Sequence, residues 1–227
     1  MAIPTPMDDA GRKLVSEAVR KAEANTAGEI VTIMSEQSDS YADVALAWAA
    51  AIALLALCVL ATFTGFYLNL WDRLFGNWVQ EWTPREVMGI AALVATLKFL
   101  GTWLILQWRP FRLWLVPGPI KHARVRARAV TCFKVGAERR TQGRTGILIY
   151  LSLAERRAEI VADSSIASQV PAEVWGDALA ALLVQIKAGH MAEGLAQAVE
   201  KVGVVLAEHF PRADDDQNEI PDRLIEV

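Results

Sequence analysis

The chain has 227 residues, 23 Lys and Arg against 26 Asp and Glu, a net charge of −3 and a positive mean hydropathy. A balance this close to neutral does not choose a partner class, so the information lies in where the charges fall. Cys58 and Cys132 are the only cysteines, and with no C-x-x-C spacing between them they exclude a disulfide framework and a zinc or dithiol motif.

In chain order, Asp8 or Asp9 is expected to cap a helix that places Leu14, Val15, Ala18 and Ala22 on one side and ends near Asn25, before Gly28. Glu29–Ser35 is rich in β-branched residues and is expected to be a central strand buried on both faces. Residues 44–68 hold no charged side chain, and a helix needs only about 20 apolar residues to cross a bilayer. Residues 87–107 form a second apolar run whose one charge is Lys98, opened by Thr83, Pro84 and Glu86 in capping-box order. Between them Trp71, Phe75, Trp78 and Trp82 recur at helical spacing, which predicts a short interfacial helix with an aromatic belt on the outer leaflet.

Pro117, Gly118 and Pro119 then start a helix expected to bury Ile120, Ala123, Ala127 and Val130 and to carry its arginines opposite. Residues 143–146 turn the chain into a strand at 147–153, and 154–156 turn it again into Arg157–Ala162, a β-hairpin. Helices are expected at 171–187 and 191–210, and the acidic tail from Arg212 reads as loose. The chain thus divides into one soluble α/β domain, residues 1–43 with 109–211, a transmembrane hairpin at 44–108 and a flexible tail at 212–227.

Arg109, Arg112, Lys121, Arg124, Arg126 and Arg128 follow the second span, whereas the loop between spans holds only Arg73 and Arg85. By the positive-inside rule both termini are expected in the cytoplasm of a multi-pass inner (plasma) membrane protein, with no cleaved signal peptide. Strand one runs straight toward the first span, so Arg156 and Arg157, with Arg109, Arg112 and Lys121, are expected to face anionic headgroups. Juxtamembrane position makes lipid, and not nucleic acid, the partner of this basic stretch. Lys98 falls near the bilayer centre with no Asp or Glu in either span, which points to a contact with another membrane protein or a second copy. At the opposite sheet edge Asp9, Glu29, Arg144 and Asp163 are candidates for a divalent cation such as Ca, or for a phosphate beside the arginine; helix caps and a surface ion pair are the structural alternative. The three histidines, His122, His190 and His209, have no nucleophile partner, and no P-loop or G-x-S-x-G is present.

Thr26 and Gly28 to Val31, Ser38-Asp39-Ser40-Tyr41-Ala42, Arg144-Thr145-Gly146-Ile147-Leu148, Arg157-Ala158-Glu159-Ile160-Val161 and His209-Phe210-Pro211 give the chain its resemblance to the TPM-domain family. That family is named for thylakoid lumenal, photosystem-repair and levamisole-receptor-modulating proteins. The version with a membrane hairpin is similar to a bacterial membrane-protein subgroup. The resemblance implies an α/β/α sandwich with a small mixed sheet. For function it implies either a non-catalytic assembly, scaffold or quality-control role for a membrane complex, or a weak acid-phosphatase or divalent-cation-binding activity. The chain departs from the commoner pattern by inserting the hairpin between the first two strands, and by Asp163 where a glycine often follows the third.

Overall fold

A computed structural model describes residues 7–75, 82–136, 145–171, 173–212 and 222–227. In chain order the elements are α1 (Asp9–Glu23), β1 (Glu29–Ser35), α2 (Ala42–Thr62), α3 (Thr64–Phe75), α4 (Pro84–Ile105), α5 (Arg109–Leu115), α6 (Gly118–Gly136), β2 (Gly146–Ser152), β3 (Arg157–Ala162), α7 (Ser164–Gln169), α8 (Val174–Lys187), α9 (Met191–His209) and β4 (Ile225–Glu226). They fall into two units, Met1–Ser40 with Pro117–Val227, and Tyr41–Val116.

The first unit is built on a sheet of order β3-β2-β1-β4. β1 and β2 run parallel in one register from Glu29↔Gly146 to Ser35↔Ser152, and β2 and β3 form the expected antiparallel hairpin. Every residue of β1 and β2 is buried, as continuous β-branched runs require of strands covered on both faces. On one face Ile30, Met34, Ile147, Ile149 and Leu151 join a core with Val15 and Val19 of α1, Leu182 of α8 and Val199, Val202 and Leu206 of α9. On the other, Val31, Ile33, Leu148 and Tyr150 meet Val125, Ala129 and Phe133 of α6. The α/β/α sandwich with a small mixed sheet is therefore the architecture. α1 and α9 approach closely at Gly203, where an added Cβ would stand 2.6 Å from the Ala22 Cβ.

Four local expectations change in this unit. Asp8 is the cap of α1, accepting from Gly11 N at 2.8 Å, and Leu14 stays 40% exposed while Val15, Ala18 and Val19 turn inward. α6 buries Val125, Ala129 and Phe133, and Ala123 and Ala127 are exposed. Alanines carry little apolar area, so the larger Val125 and Phe133 set the inward face, which brings Lys121 and Arg124 to the sheet side. After β3 comes a short helix, α7, absent from the expected elements, and Asp163 caps it. Finally, the tail is not wholly loose, because β4 pairs in parallel with β1 through Ile33↔Ile225 and Met34↔Glu226.

In the second unit α2 and α4 are long and apolar enough to cross a membrane, and they pack against one another. Ala45, Ala49 and Leu60 are the buried residues of α2. The expected single run at 44–68 breaks at Phe63, which leaves helical geometry (φ −116°, ψ 35°); the Thr62 and Thr64 hydroxyls bond back to Cys58 and Leu60 carbonyls beside it, at 2.8 Å each. α3 carries Trp71 and Phe75, Trp78 lies outside the described residues, and Trp82 is not helical. The reason is local: Thr83 and Glu86 close a capping box that begins α4, and Pro84 forces extended backbone before it. Trp82 instead donates from Nε1 to Asp72 at 3.3 Å. Lys98 is exposed on α4, as is Cys58 on α2.

Candidate functional site

The C-terminal ends of β1 and β2 lie side by side, and the chain leaves β1 through residues 36–40 and β2 through the turn 153–156. Two backbone bonds, Leu153 N to Ser35 O and Ala154 N to Glu36 O, both 3.0 Å, extend the ladder past the strands. Ser38 then folds back over the sheet end. Its N–H donates to Glu155 Oε1 at 3.0 Å, and its Oγ sits 2.9 Å from Ser152 Oγ and 3.0 Å from the Tyr150 hydroxyl. Ser152 Oγ donates to the other Glu155 oxygen. Tyr150 and Ser152 are fully buried and Glu155 nearly so. Because no substrate can reach Ser152, its contact with a carboxylate positions the loop and does not present a nucleophile.

Around this knot stand cations. Arg156 occupies the left-handed region at φ 52°, a conformation that costs a non-glycine residue about 1–2 kcal/mol, and its side chain is exposed. Arg157 Nη2 donates to Gly118 O at 3.3 Å, which ties β3 to the start of α6. Burial and the charge of Arg157 push the Lys121 ammonium below the ordinary lysine value, and Glu155 opposes the shift. Arg124 pairs with Asp39 at 3.1 Å, and His122 Nδ1 lies 3.1 Å from Glu159 Oε1. Burial raises the Glu159 carboxyl, against the pull of His122, Arg126 and Arg157. A lysine crowded by an arginine is relieved by an incoming anion, so this surface suits phosphate or carboxylate groups.

Of the residues expected to face anionic headgroups, Lys121, Arg156 and Arg157 thus belong to one end of the sheet. Arg109 and Arg112 belong to the second unit, in α5, where Arg112 Nη1 reaches Leu106 O at 3.5 Å. The residues of the candidate metal edge have separate occupations. Asp9 pairs with Arg12 at 2.8 Å. Asp163 caps α7 by accepting from Ser164 N at 2.6 Å, with its Oδ2 buried and unbonded. Glu29 is buried and lines a cavity of 260 Å³ with Arg20, Glu23, Ala24, Thr26, Arg212 and Asp222, and Arg144 lies outside the described residues. Among the described residues no three His, Cys, Asp or Glu side chains converge on a point where a metal would be held.

The sequence reading missed Ser38, Tyr150, Ser152 and Glu155 as a unit. The available signal was a set of polar residues, Thr32, Ser35, Ser152 and Glu159, inside strands too apolar to hold them without a purpose.

Comparison with known proteins agrees with this architecture. A profile of the TPM domain matches residues 121–205, the stretch from α6 into α9, so a TPM domain is present in the chain. No curated protein matches. Among solved structures, the BA42 protein of the psychrophilic bacterium Bizionia argentinensis sp. nov., determined by NMR, is similar in fold, with a TM-score of 0.56 and 19% identity over 100% of this chain and 99% of that one.

Proposed function

We propose that the protein is a membrane-anchored TPM-like domain of the bacterial hairpin-bearing subgroup, acting as a non-catalytic assembly, scaffold or quality-control factor for a membrane complex. One observation carries this reading. Lys121, Arg156 and Arg157 gather at the end of the sheet where the chain leaves the first unit after Ser40 and re-enters it at Pro117. A basic surface next to both connections to an apolar hairpin suits anionic headgroups, at about 1 kcal/mol per cation, or an acidic membrane partner. In this reading α2 and α4 are the anchor and Trp71, Phe75, Trp78 and Trp82 its interfacial belt, and the charge asymmetry about α4 supports a cytoplasmic position for both termini. Lys98, exposed on α4 with no acidic residue at 44–68 or 87–107, is the intramembrane contact for another subunit.

Crosslinking in native membranes followed by affinity purification of the full chain tests the proposal. A stoichiometric membrane partner that is lost on Arg156→Glu with Arg157→Glu, and weakened by Lys98→Leu, is expected. Recovery of the same partners by all variants overturns the assignment of these residues. The competing reading is a weak metal-assisted phosphatase using Asp9, Glu29, Arg144 and Asp163, with a divalent cation such as Ca. Hydrolysis of a simple phosphomonoester that needs added Ca and disappears with Asp163→Asn replaces the scaffold reading with that one.

A further inference from the structure

The free edge of β1 is covered in two different ways. Over its C-terminal half lies β4, with Val227 N donating to Met34 O at 2.9 Å and Glu36 N donating to Val227 O at 3.3 Å. Leu224 is buried in the core shared with α1 and α9, and Ile225 packs against the α6 face. Glu226 takes a two-pronged bond from Arg12 of α1, Nε to Oε1 at 3.0 Å and Nη2 to Oε2 at 3.2 Å. Where β4 stops, a side chain takes over: Glu23 Oε1 accepts from Ile30 N at 2.7 Å, in the place where a longer strand would supply a carbonyl.

The other oxygen of Glu23 is buried with no donor. Asp222, three residues before β4, lines the same cavity as Glu23, and two carboxylates bond one another only through a proton on one of them. The surroundings hold that proton in place. Burial comes first, and the charges of Glu29 on β1 and Asp222 follow; together they push Glu23 up to about 9, against the N–H of Ile30. Arg20 of α1 and Arg212 beyond α9 line the same cavity and are the cations near it. The chain enters this corner from a fixed point, because Thr26 Oγ1 donates to Phe210 O at 2.7 Å and Thr26 bridges to Pro211.

We propose that residues 222–227 are a detachable strand on the edge of β1, latched at one end by the Arg12–Glu226 fork and at the other by a proton shared between Glu23 and Asp222. Loss of the proton sets Glu23, Glu29 and Asp222 against one another across a small cavity, and the strand lifts. Opening returns Met34 O and Glu36 N–H to solvent, the groups a new strand uses to extend a sheet. The sign is fixed by the direction of the shift: the latch is closed at neutral pH and opens as pH rises through about 9.

Fluorine NMR on the full chain in nanodiscs, with trifluoromethylphenylalanine in place of the exposed Val227, reads docked and released strand directly. From pH 7 to pH 10 the released fraction is expected to rise at least tenfold in the parent protein. Glu23→Gln keeps the acceptor for Ile30 and donates to Asp222 without titrating, so its strand is expected to stay docked throughout. Arg12→Ala is expected to raise the released fraction already at pH 7, since it opens the other latch. A parent strand that stays docked to pH 10, a Glu23→Gln strand that releases with the parent's pH dependence, or an Arg12→Ala strand as firmly docked at pH 7 as the parent's overturns the proposal. None of these outcomes depends on the basic surface at the other sites of the sheet.

Discussion

Glu155 and Glu23 are carboxylates of the same unit, both withdrawn from water, and they are satisfied in opposite ways. Glu155 receives Ser38 N–H on one oxygen and the Ser152 hydroxyl on the other, with Lys121 near enough to feel its charge. Glu23 receives a single donor, Ile30 N–H, and faces Glu29 and Asp222. Donors meet both oxygens of Glu155, whereas Glu23 is buried among other carboxylates, which favours its protonated form. The first environment fixes a loop, and the second makes a contact that pH can break.

The comparison predicts unequal costs. Glu155→Ala leaves the Ser38 N–H and the Ser152 hydroxyl buried without an acceptor, and bonds to a charged group are worth about 1.5–3 kcal/mol each. A loss of about 4 kcal/mol is expected, read by urea titration of the full chain in detergent with pulse proteolysis of residues 118–210. A loss below about 1 kcal/mol would mean that the loop after β1 does not depend on this carboxylate.

Glu23→Gln moves stability the other way. The folded chain keeps the Glu23 proton to about pH 9, whereas an ordinary glutamate releases it near 4.5, so the folded state binds more protons between those values. The stability that the protonated group contributes is full below about 4.5 and is lost as pH rises through 9. Discounted for partial solvent screening, the neutral amide is expected to gain about 2 kcal/mol at pH 8 and nothing at pH 4. The same urea titration at both pH values checks it, and an equal gain at both would show that packing, not the proton, is responsible.

Ser38→Ala is a smaller break in the Glu155 environment. The backbone N–H still reaches Glu155, while the hydroxyl contacts to Ser152 and Tyr150 go, at a net cost of about 1 kcal/mol. If it costs as much as Glu155→Ala, the serine and not the carboxylate organises the loop.

The two environments were not equally legible in the sequence. β1 is marked by its continuous β-branched run and β3 by the turn before it, and Glu29–Ser35 and Arg157–Ala162 are observed at the expected bounds. The basic stretch after the second span was legible too, because charge needs no fold to be counted. What stayed hidden depends on pairing between distant segments. Ser38 meets Glu155 across 117 positions and Arg12 meets Glu226 across 214, and neither separation leaves a periodic trace. The short β4 has only Leu224 and Ile225 as apolar residues before Glu226, too few to distinguish a strand from a tail without the edge that receives it. On α6, alanines diluted the pattern, so the inward face was set on Ala123 and Ala127 and Arg124 was placed opposite it.

The smallest effect belongs to a third carboxylate, one with opposing charges beside it. Glu159 on β3 is raised by burial, and His122, Arg126 and Arg157 pull it back. His122 approaches it at 3.1 Å, but the imidazole is largely exposed. The pair is therefore worth about 0.5 kcal/mol at most. His122→Ala removes one of the opposing charges and leaves the burial, so the Glu159 carboxyl is expected to rise further, with the two arginines limiting the change. Carbon-13 titration of the Glu159 carboxyl in parent and variant measures it. A rise shows that the charge of the histidine opposes the burial of Glu159. A fall would mean that the histidine acts by excluding water from Glu159 and not through its charge.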